Sequence, residues 1–355
     1  MLNNRHATNM KKAIFLLAAL CIANMGFAQL SYATLNHNDT MQVFTGMDAL
    51  QRAHAAAVGG DAIILSSGVF YAVDITKAVS IRGAGMYNDT TRSLVNTLIS
   101  GGFNIDVADS VNQLSLTGLI FNSNITIYKA FRPLFTKCRF QTVSPYWHGG
   151  STRETDRTTD AQFINCIIQN WSNNQWNNYT SWSATGTAFY NCIIMGFGNG
   201  RSPDMMVNCD AYLNRDLNCT NSKSILNCIL WCNEYGGSAN NAYTSFNSLG
   251  INIYYYGSYF DMTNMESHHN YNLESYEEVF QTFRGTYTDG MSMALIDSIA
   301  TTILGDDSTQ VGIYGGPYPF DISVTNPVIG HISAARRTNA EGKLEVDIEL
   351  INNNE

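Results

Sequence analysis

The sequence predicts an all-β fold, a single-stranded parallel β-helix that adds one coil of chain per repeat. Three observations carry that expectation. A tetrapeptide recurs at Asn165-Cys166-Ile167-Ile168, Asn191-Cys192-Ile193-Ile194 and Asn227-Cys228-Ile229-Leu230. The connecting stretches are rich in Asn, Gly and Ser, and only 14% of all residues are charged. A short helical pattern stands just ahead of the first strands, where a solenoid needs a cover.

The tetrapeptide sets the repeat. Lys137-Cys138-Arg139-Phe140 is a fourth copy, and Gly118-Leu119-Ile120-Phe121 and Gly257-Ser258-Tyr259-Phe260 fit the slot more loosely. Taken at 119, 138, 166, 192, 228 and 258, the slots are separated by 19, 28, 26, 36 and 30 residues. Short strands at such intervals mean one supersecondary unit per repeat, each burying its apolar face against its neighbours. Side chains alternate along a strand, so Cys166 and Ile168 share one face while Asn165 and Ile167 share the other. Cys138, Cys166, Cys192 and Cys228 then form an inward column beside Phe140, Ile168, Ile194 and Leu230. Stacked side chains lie alongside one another, which disfavours disulfide geometry and favours a reduced apolar ladder. Cys209 and Cys219, in the long interval between two slots, are the disulfide candidates. No cysteine spacing resembles a zinc site.

The chain opens with a short helix pattern over Asp48–Ala57, with Leu50, Ala53 and Ala57 on one face and Gly59-Gly60 ending it. Asp61-Ala62-Ile63-Ile64-Leu65-Ser66-Ser67-Gly68-Val69-Phe70 follows, then Val79-Ser80-Ile81-Arg82-Gly83-Ala84-Gly85. This helix, with G-D-x-I-x-L, S-G-x-[FY] and a strand ending in G-x-G, resembles the opening of the pectate-lyase-like right-handed parallel β-helix superfamily. The resemblance implies an all-β, single-stranded right-handed parallel β-helix (solenoid) with an N-terminal capping helix and a short C-terminal strand extension. It says little about activity.

Toward the end, Leu295-Ile296-Asp297 and Gln310-Val311-Gly312-Ile313-Tyr314-Gly315-Gly316 resemble the closing coil of exported bacterial β-helix proteins. Before them, Ser275 and Glu278 read as a capping box opening a short helix through Val279, Phe280, Phe283 and Arg284, ended by Gly285. That helix is expected on the flank of the last coils. The resemblance covers roughly residues 44–320. After the linker-like Asn326-Pro327, Leu344, Val346, Ile348 and Leu350 alternate with Glu345, Asp347 and Glu349 as a half-buried strand without a hairpin partner of its own. The expected organisation is a signal peptide over 1–28, a β-helix with its cap over 29–320, and a tail over 321–355.

Export follows from the first residues. Lys11-Lys12 precede an apolar run from Ala13 to Ala23, and Gly26-Phe27-Ala28 offers small residues at the cleavage positions before Gln29. The run is too short to span a bilayer, and no later stretch approaches the length a spanning helix needs. Cleavage there leaves 17 Lys+Arg against 29 Asp+Glu, a charge of about −12 by count. That balance argues against nucleic acid and anionic membrane as partners, since both need a basic footprint. Periplasm, cell surface and extracellular space all fit.

Chemistry-bearing patterns are sparse. The paired carboxylates of polygalacturonase-type hydrolases, with their G-H-G motif, are missing; the sole Asp-Asp is Asp306-Asp307. Asn233-Glu234-Tyr235-Gly236-Gly237 does not match the N-G-G-x-E of alginate- and chondroitin-type lyases. His148, Arg153, Glu154, Asp156, Arg157 and Asp160 crowd one loop and form the candidate base-plus-carboxylate or calcium cluster, against a solvated turn of compensating charges. Glu266, His268 and His269 are a further metal candidate. Aromatic residues give the stronger signal. All five tryptophans, Trp147, Trp171, Trp176, Trp182 and Trp231, fall between 147 and 231. Trp171, Trp176, Tyr179 and Trp182 share an uncharged, Asn-rich stretch, where flat rings among amides suit neutral sugars. The competing reading folds those rings onto the flank of the helix. The expected function is a non-catalytic exported or surface protein binding a neutral glycan or a surface partner through its lateral face. A carbohydrate-active enzyme with atypical catalytic residues and a structural spacer are the alternatives.

Overall fold

The computed structural model describes residues 31–87, 96–146, 158–172, 184–197, 203–212, 223–232, 243–246, 249–252, 271–273, 275–288, 290–323, 325, 328–334, 341 and 346–351. The fold is all-β, with two eleven-stranded sheets among these residues. From 115 to 252 the chain goes in turn to the first sheet and the second, so each round adds one strand to both, while 158–159 and 184–185 pair in a small sheet of their own. Strands 134–136, 162–164, 188–190 and 205–207 pair in parallel in the first sheet. Strands 139–145, 167–168, 193–194, 210–212 and 229–232 do so in the second. This alternation fits a β-helix. Among the described residues no helix is long and apolar enough to cross a membrane.

Where each round passes from the first sheet to the second, one residue takes left-handed backbone geometry. Gly118 (φ 66°), Lys137 (49°), Asn165 (54°), Asn191 (49°), Asn208 (51°) and Asn227 (55°) occupy this bend in successive rounds. Asn and Gly tolerate that conformation best, so the repeated Asn of the tetrapeptide is a bend residue. The following Cys turns inward. Cys138, Cys166, Cys192, Cys209 and Cys228 are all buried and free. Their thiols approach carbonyls around the bend: Cys166 Sγ lies 3.4 Å from both Phe135 O and Ile164 O, and Cys192 Sγ 3.3 Å from Phe163 O and Tyr190 O. A cysteine is therefore a small apolar filler that also offers a weak donor to carbonyls around the bend.

Cys209 belongs to this ladder, which corrects its assignment as a disulfide candidate; Cys219 lies outside the described residues. The signal was present in Asn208-Cys209-Asp210-Ala211, a fifth copy of the tetrapeptide with Asp in place of the outward Ile. The apparent 36-residue interval is thus two rounds. The slot at Gly257–Phe260 lies outside the described residues, while strand 249–252 pairs with 229–232 as the next rung.

Between the sheets, Ile63, Ile81, Leu116, Phe135, Phe163, Phe189, Met206 and Ile225 of the first face Phe70, Ile99, Phe121, Phe140, Ile168, Ile194, Ala211 and Leu230 of the second. Each fully buried side chain of this size contributes about 1.5–3 kcal/mol. Phe135 stacks on Phe163 at 4.5 Å, and Phe121 on Phe140 at 5.2 Å.

The first strands hold a hairpin that the sequence did not announce. β1 (Tyr32–His37) pairs antiparallel with both β2 (Thr40–Thr45) and β3 (Ala62–Leu65). Helix α1 (Ala49–Ala56) buries Ala49, Leu50 and Ala53 against them, on the face expected. Lys77 Nζ donates to His54 O, Ala55 O and Ala57 O at 2.7–2.9 Å, closing the orphan carbonyls of its C-terminus.

The last part of the chain departs from expectation. Ser275 makes no capping bond, and the expected helix shortens to a 3-10 turn, Tyr276–Glu278. Phe280 and Phe283 still pack on the flank, edge-on to Trp231 at 6.4 and 5.0 Å. After α2 (Asp297–Thr302), residues 305–323 form no closing coil. They run back along the bend column as a strap, opposite to the advance of the rounds. Asp306 N donates to Asn227 Oδ1 (3.2 Å) and Gly312 N to Asn227 O (2.7 Å). Asn191 Nδ2 donates to Ile313 O (2.9 Å) and Gly315 O (2.7 Å). Lys137 Nζ reaches Asp321 (2.5 Å) and Ser323 (2.8 Å), and Thr325 Oγ1 donates to Gly83 O (2.6 Å). The cause is the outward column of the second sheet: Ile167, Ile193 and Ile229 are apolar and are covered by Phe280, Phe283, Val311 and Ile313. The C-terminal strand also has a hairpin partner, since Val328–Ala334 pairs antiparallel with Val346–Ile351. The linker-like Asn326-Pro327 lies outside the described residues, directly before that strand.

Candidate lateral binding face

The residues first singled out do not come together. Trp171 is 2% exposed and sits edge-on to Phe163 and Phe189 at 5.8 and 5.1 Å, bridged by backbone to Val143 and Phe197. It fills the interior, so its assignment to a ligand surface is corrected: a wide ring occupies the side of the round where regular strands are short. Trp176, Tyr179 and Trp182 lie outside the described residues, as does Trp147. Trp231 is fully buried beneath Phe280 and Phe283.

Of the charged loop, His148, Arg153, Glu154, Asp156 and Arg157 lie outside the described residues, as do Glu266, His268 and His269. Asp160 is described. It is exposed, in left-handed geometry (φ 53°), at the same bend as Arg132 (49°) and Gly186 (71°) of the adjacent rounds. Its carboxylate lies over Gly186, where a Cβ would meet Oδ1 at 2.1 Å. That is a structural bend position shared by three residues of unlike chemistry. Among the described residues, no three His, Cys, Asp or Glu side chains are grouped to hold a metal ion.

A different surface emerges on the outer face of the first sheet. Register places Ser115, Leu134, Gln162, Ala188, Met205 and Ser224 in one outward row, and Thr117, Thr136, Ile164, Tyr190, Val207 and Leu226 in a second. Twelve consecutive outward positions over six rounds carry no charge. Ten are half-buried, Gln162 is exposed and Ala188 buried, so the rows form a low, even surface. At about 4.8 Å per strand, six rounds extend for roughly 24 Å. Tyr190 lies within the second row, and the exposed Tyr318 on the strap stands near enough to raise the Tyr190 phenol further, after burial. The Tyr190 phenol is therefore a neutral donor and acceptor beside apolar surface. The sequence held this signal in its period-2 pattern, but the pattern could not be placed until the bends fixed which residues face outward.

A second arrangement lies at the opposite end. Asp61 accepts from His37 Nδ1 (2.7 Å) and from Val58 N (2.8 Å), and Asn38 Nδ2 contacts His37 Nε2 at 2.9 Å. Although burial opposes it, these bonds and the nearby His37 and Lys77 hold the Asp61 carboxyl below its usual range. The pair ties β1 to the residue leading into β3, and among the described residues no hydroxyl or thiol is bonded to the imidazole. Compared with protein-family models, with curated proteins and with solved structures, the chain matches none.

Proposed function

We propose that this is an exported, non-catalytic protein, built as a right-handed parallel β-helix of pectate-lyase-like type with α1 as its N-terminal cap. It binds a neutral glycan along the outer face of its first sheet. The observation that carries the reading is the uncharged double row from Ser115 and Thr117 to Ser224 and Leu226. A neutral polymer meets there half-buried apolar side chains, hydroxyls and the Tyr190 ring. That is the mixture of stacking surface and hydrogen-bonding groups a sugar chain requires. An anionic polymer would find no cation along the double row, with Arg82 standing just beyond Thr117 at its edge, and a net charge of −9 overall.

The test is retention of the mature protein on immobilised neutral polysaccharides, with and without calcium. Wild type is expected to be retained, with Ile164→Glu and Tyr190→Ala each weakening retention about tenfold, the effect of about 1.4 kcal/mol. Retention unchanged in both variants would move the site elsewhere. Release of new reducing or unsaturated ends would replace binding by catalysis.

A further inference from the structure

One polar position in the apolar face beneath the strap has no structural explanation. In the outward column of the second sheet, Asp210 stands directly between Ile193 and Ile229. Its carboxyl is fully buried and neither oxygen makes a well-formed hydrogen bond, with only the Ile313 amide approaching it. Asn208, two residues before it, is also fully buried with both amide atoms unpartnered. Directly over them runs the glycine-rich turn of the strap. A Cβ on Gly312 would lie 2.6 Å from Asp210 Oδ1, and one on Gly316 2.6 Å from Asn208 Oδ1. Glycine is required there because the turn is pressed onto the two polar groups. An isoleucine, as in the rounds on either side, would suit the column better than an acid.

We propose that the strap, Gly305–Thr325, is a releasable latch on the outer face of the second sheet, held shut by a proton on Asp210. Closed, the latch keeps the carboxyl out of water and neutral. Once the carboxyl ionises, its charge is hydrated only if the turn Gly312–Gly316 lifts away. Opening uncovers Ile193, Ile229 and the Asn191 and Asn208 bends.

The surroundings favour this reading. Burial pushes the Asp210 carboxyl well up, with only the Ile313 amide working the other way. The titratable groups coupled to it are Tyr314 from the strap and the Cys228 thiol from the next round. Both are neutral acids, themselves pushed up. Ile193 and Ile229 on the flanking strands cannot titrate, and no described cation acts on the carboxyl. The sign follows. The closed state binds the proton more tightly than the open one, so closure is complete below the ordinary carboxylate range. It weakens as pH rises toward the elevated value of the closed state.

Amide hydrogen exchange on the mature protein, corrected for the intrinsic pH dependence of exchange, tests this. The amides to follow are Gly312, Gly315 and Phe320 in the strap, with Phe189 and Ile194 in the sheets as internal reference. Wild-type strap protection should fall with rising pH, by up to tenfold per unit, while the reference amides stay protected. Asp210→Asn and Asp210→Ile should abolish the pH dependence, the second with a more protected strap. A strap whose protection is flat with pH overturns the proposal. So does a fall shared by the reference amides, which would mean global unfolding, or a slope that survives in both variants.

Discussion

At the bend, one residue type performs two jobs, and substitution separates them. Asn191 adopts φ 49° and donates to Ile313 O and Gly315 O. Asn191→Ala should cost about 3–4 kcal/mol: roughly 1–2 for the left-handed backbone and about 1 for each of the two hydrogen bonds. Asn191→Gly should recover the backbone part and lose only the bonds, so its urea midpoint should fall between wild type and Asn191→Ala. Equal midpoints for both variants would show that the bond to the strap alone matters. The cysteine beside each bend makes a second prediction. Burial pushes the Cys138 thiol up to about 12, and those of Cys192, Cys209 and Cys228 well above their usual value. Thiolate is the reactive form, so these thiols should resist iodoacetamide at pH 8 in the native protein and react once it is unfolded. Peptide mapping that found Cys209 in a disulfide would refute its place in the ladder. The tetrapeptide made this ladder legible in the sequence. The Asn208 round escaped notice because Asp210 hid the apolar outward position that marks the other copies.

At the scale of elements, what could be read were those with strict local periodicity. The α1 stripe of Leu50 and Ala53 and the Cys/Ile strands needed no partner to declare themselves. The strap could not be read in this way. Gly305–Thr325 has no period of its own, because its contacts are backbone groups meeting the bends of distant rounds, and Asn191 and Ile313 are 122 residues apart. The β1–β2 hairpin was missed for a related reason. β2 buries only Phe44, while Met41 and Val43 are 75% and 59% exposed, so its apolar residues mark no buried face. An ion pair also ties the strap to the bend, Lys137 with Asp321, whose carboxylate is 47% exposed. Solvent screening limits such a pair to about 1 kcal/mol or less. Because Lys137 itself holds φ 49°, Lys137→Gly should be close to neutral in thermal unfolding: the relieved backbone offsets the lost pair. A fall in Tm as large as that of Asn191→Ala would mean that the pair, rather than the Asn bonds, anchors the strap.

For the molecule as a whole, acid acts in opposite directions on its two outer structures. Asp61, beside β3, is held below its usual range by Val58 N–H and His37, so its contribution is present above the unfolded carboxylate pKa and is lost as pH falls through the lowered one. Asp210 is raised, so the strap over it gains as pH falls. The same acidification should therefore loosen the ties between β1 and the residues before β3 while tightening Gly305–Thr325. Both segments rest on the same two sheets, whose Cys and Phe columns do not ionise in this range, so the responses should be local and not cooperative. Exchange measured at pH 6 and pH 3 should show Leu35 and Ile63 losing protection as Gly312 and Phe320 gain it. Asp61→Asn should remove the first change and leave the second intact. If both segments lose protection together, the sheets couple them, and the molecule responds to acid as one cooperative unit.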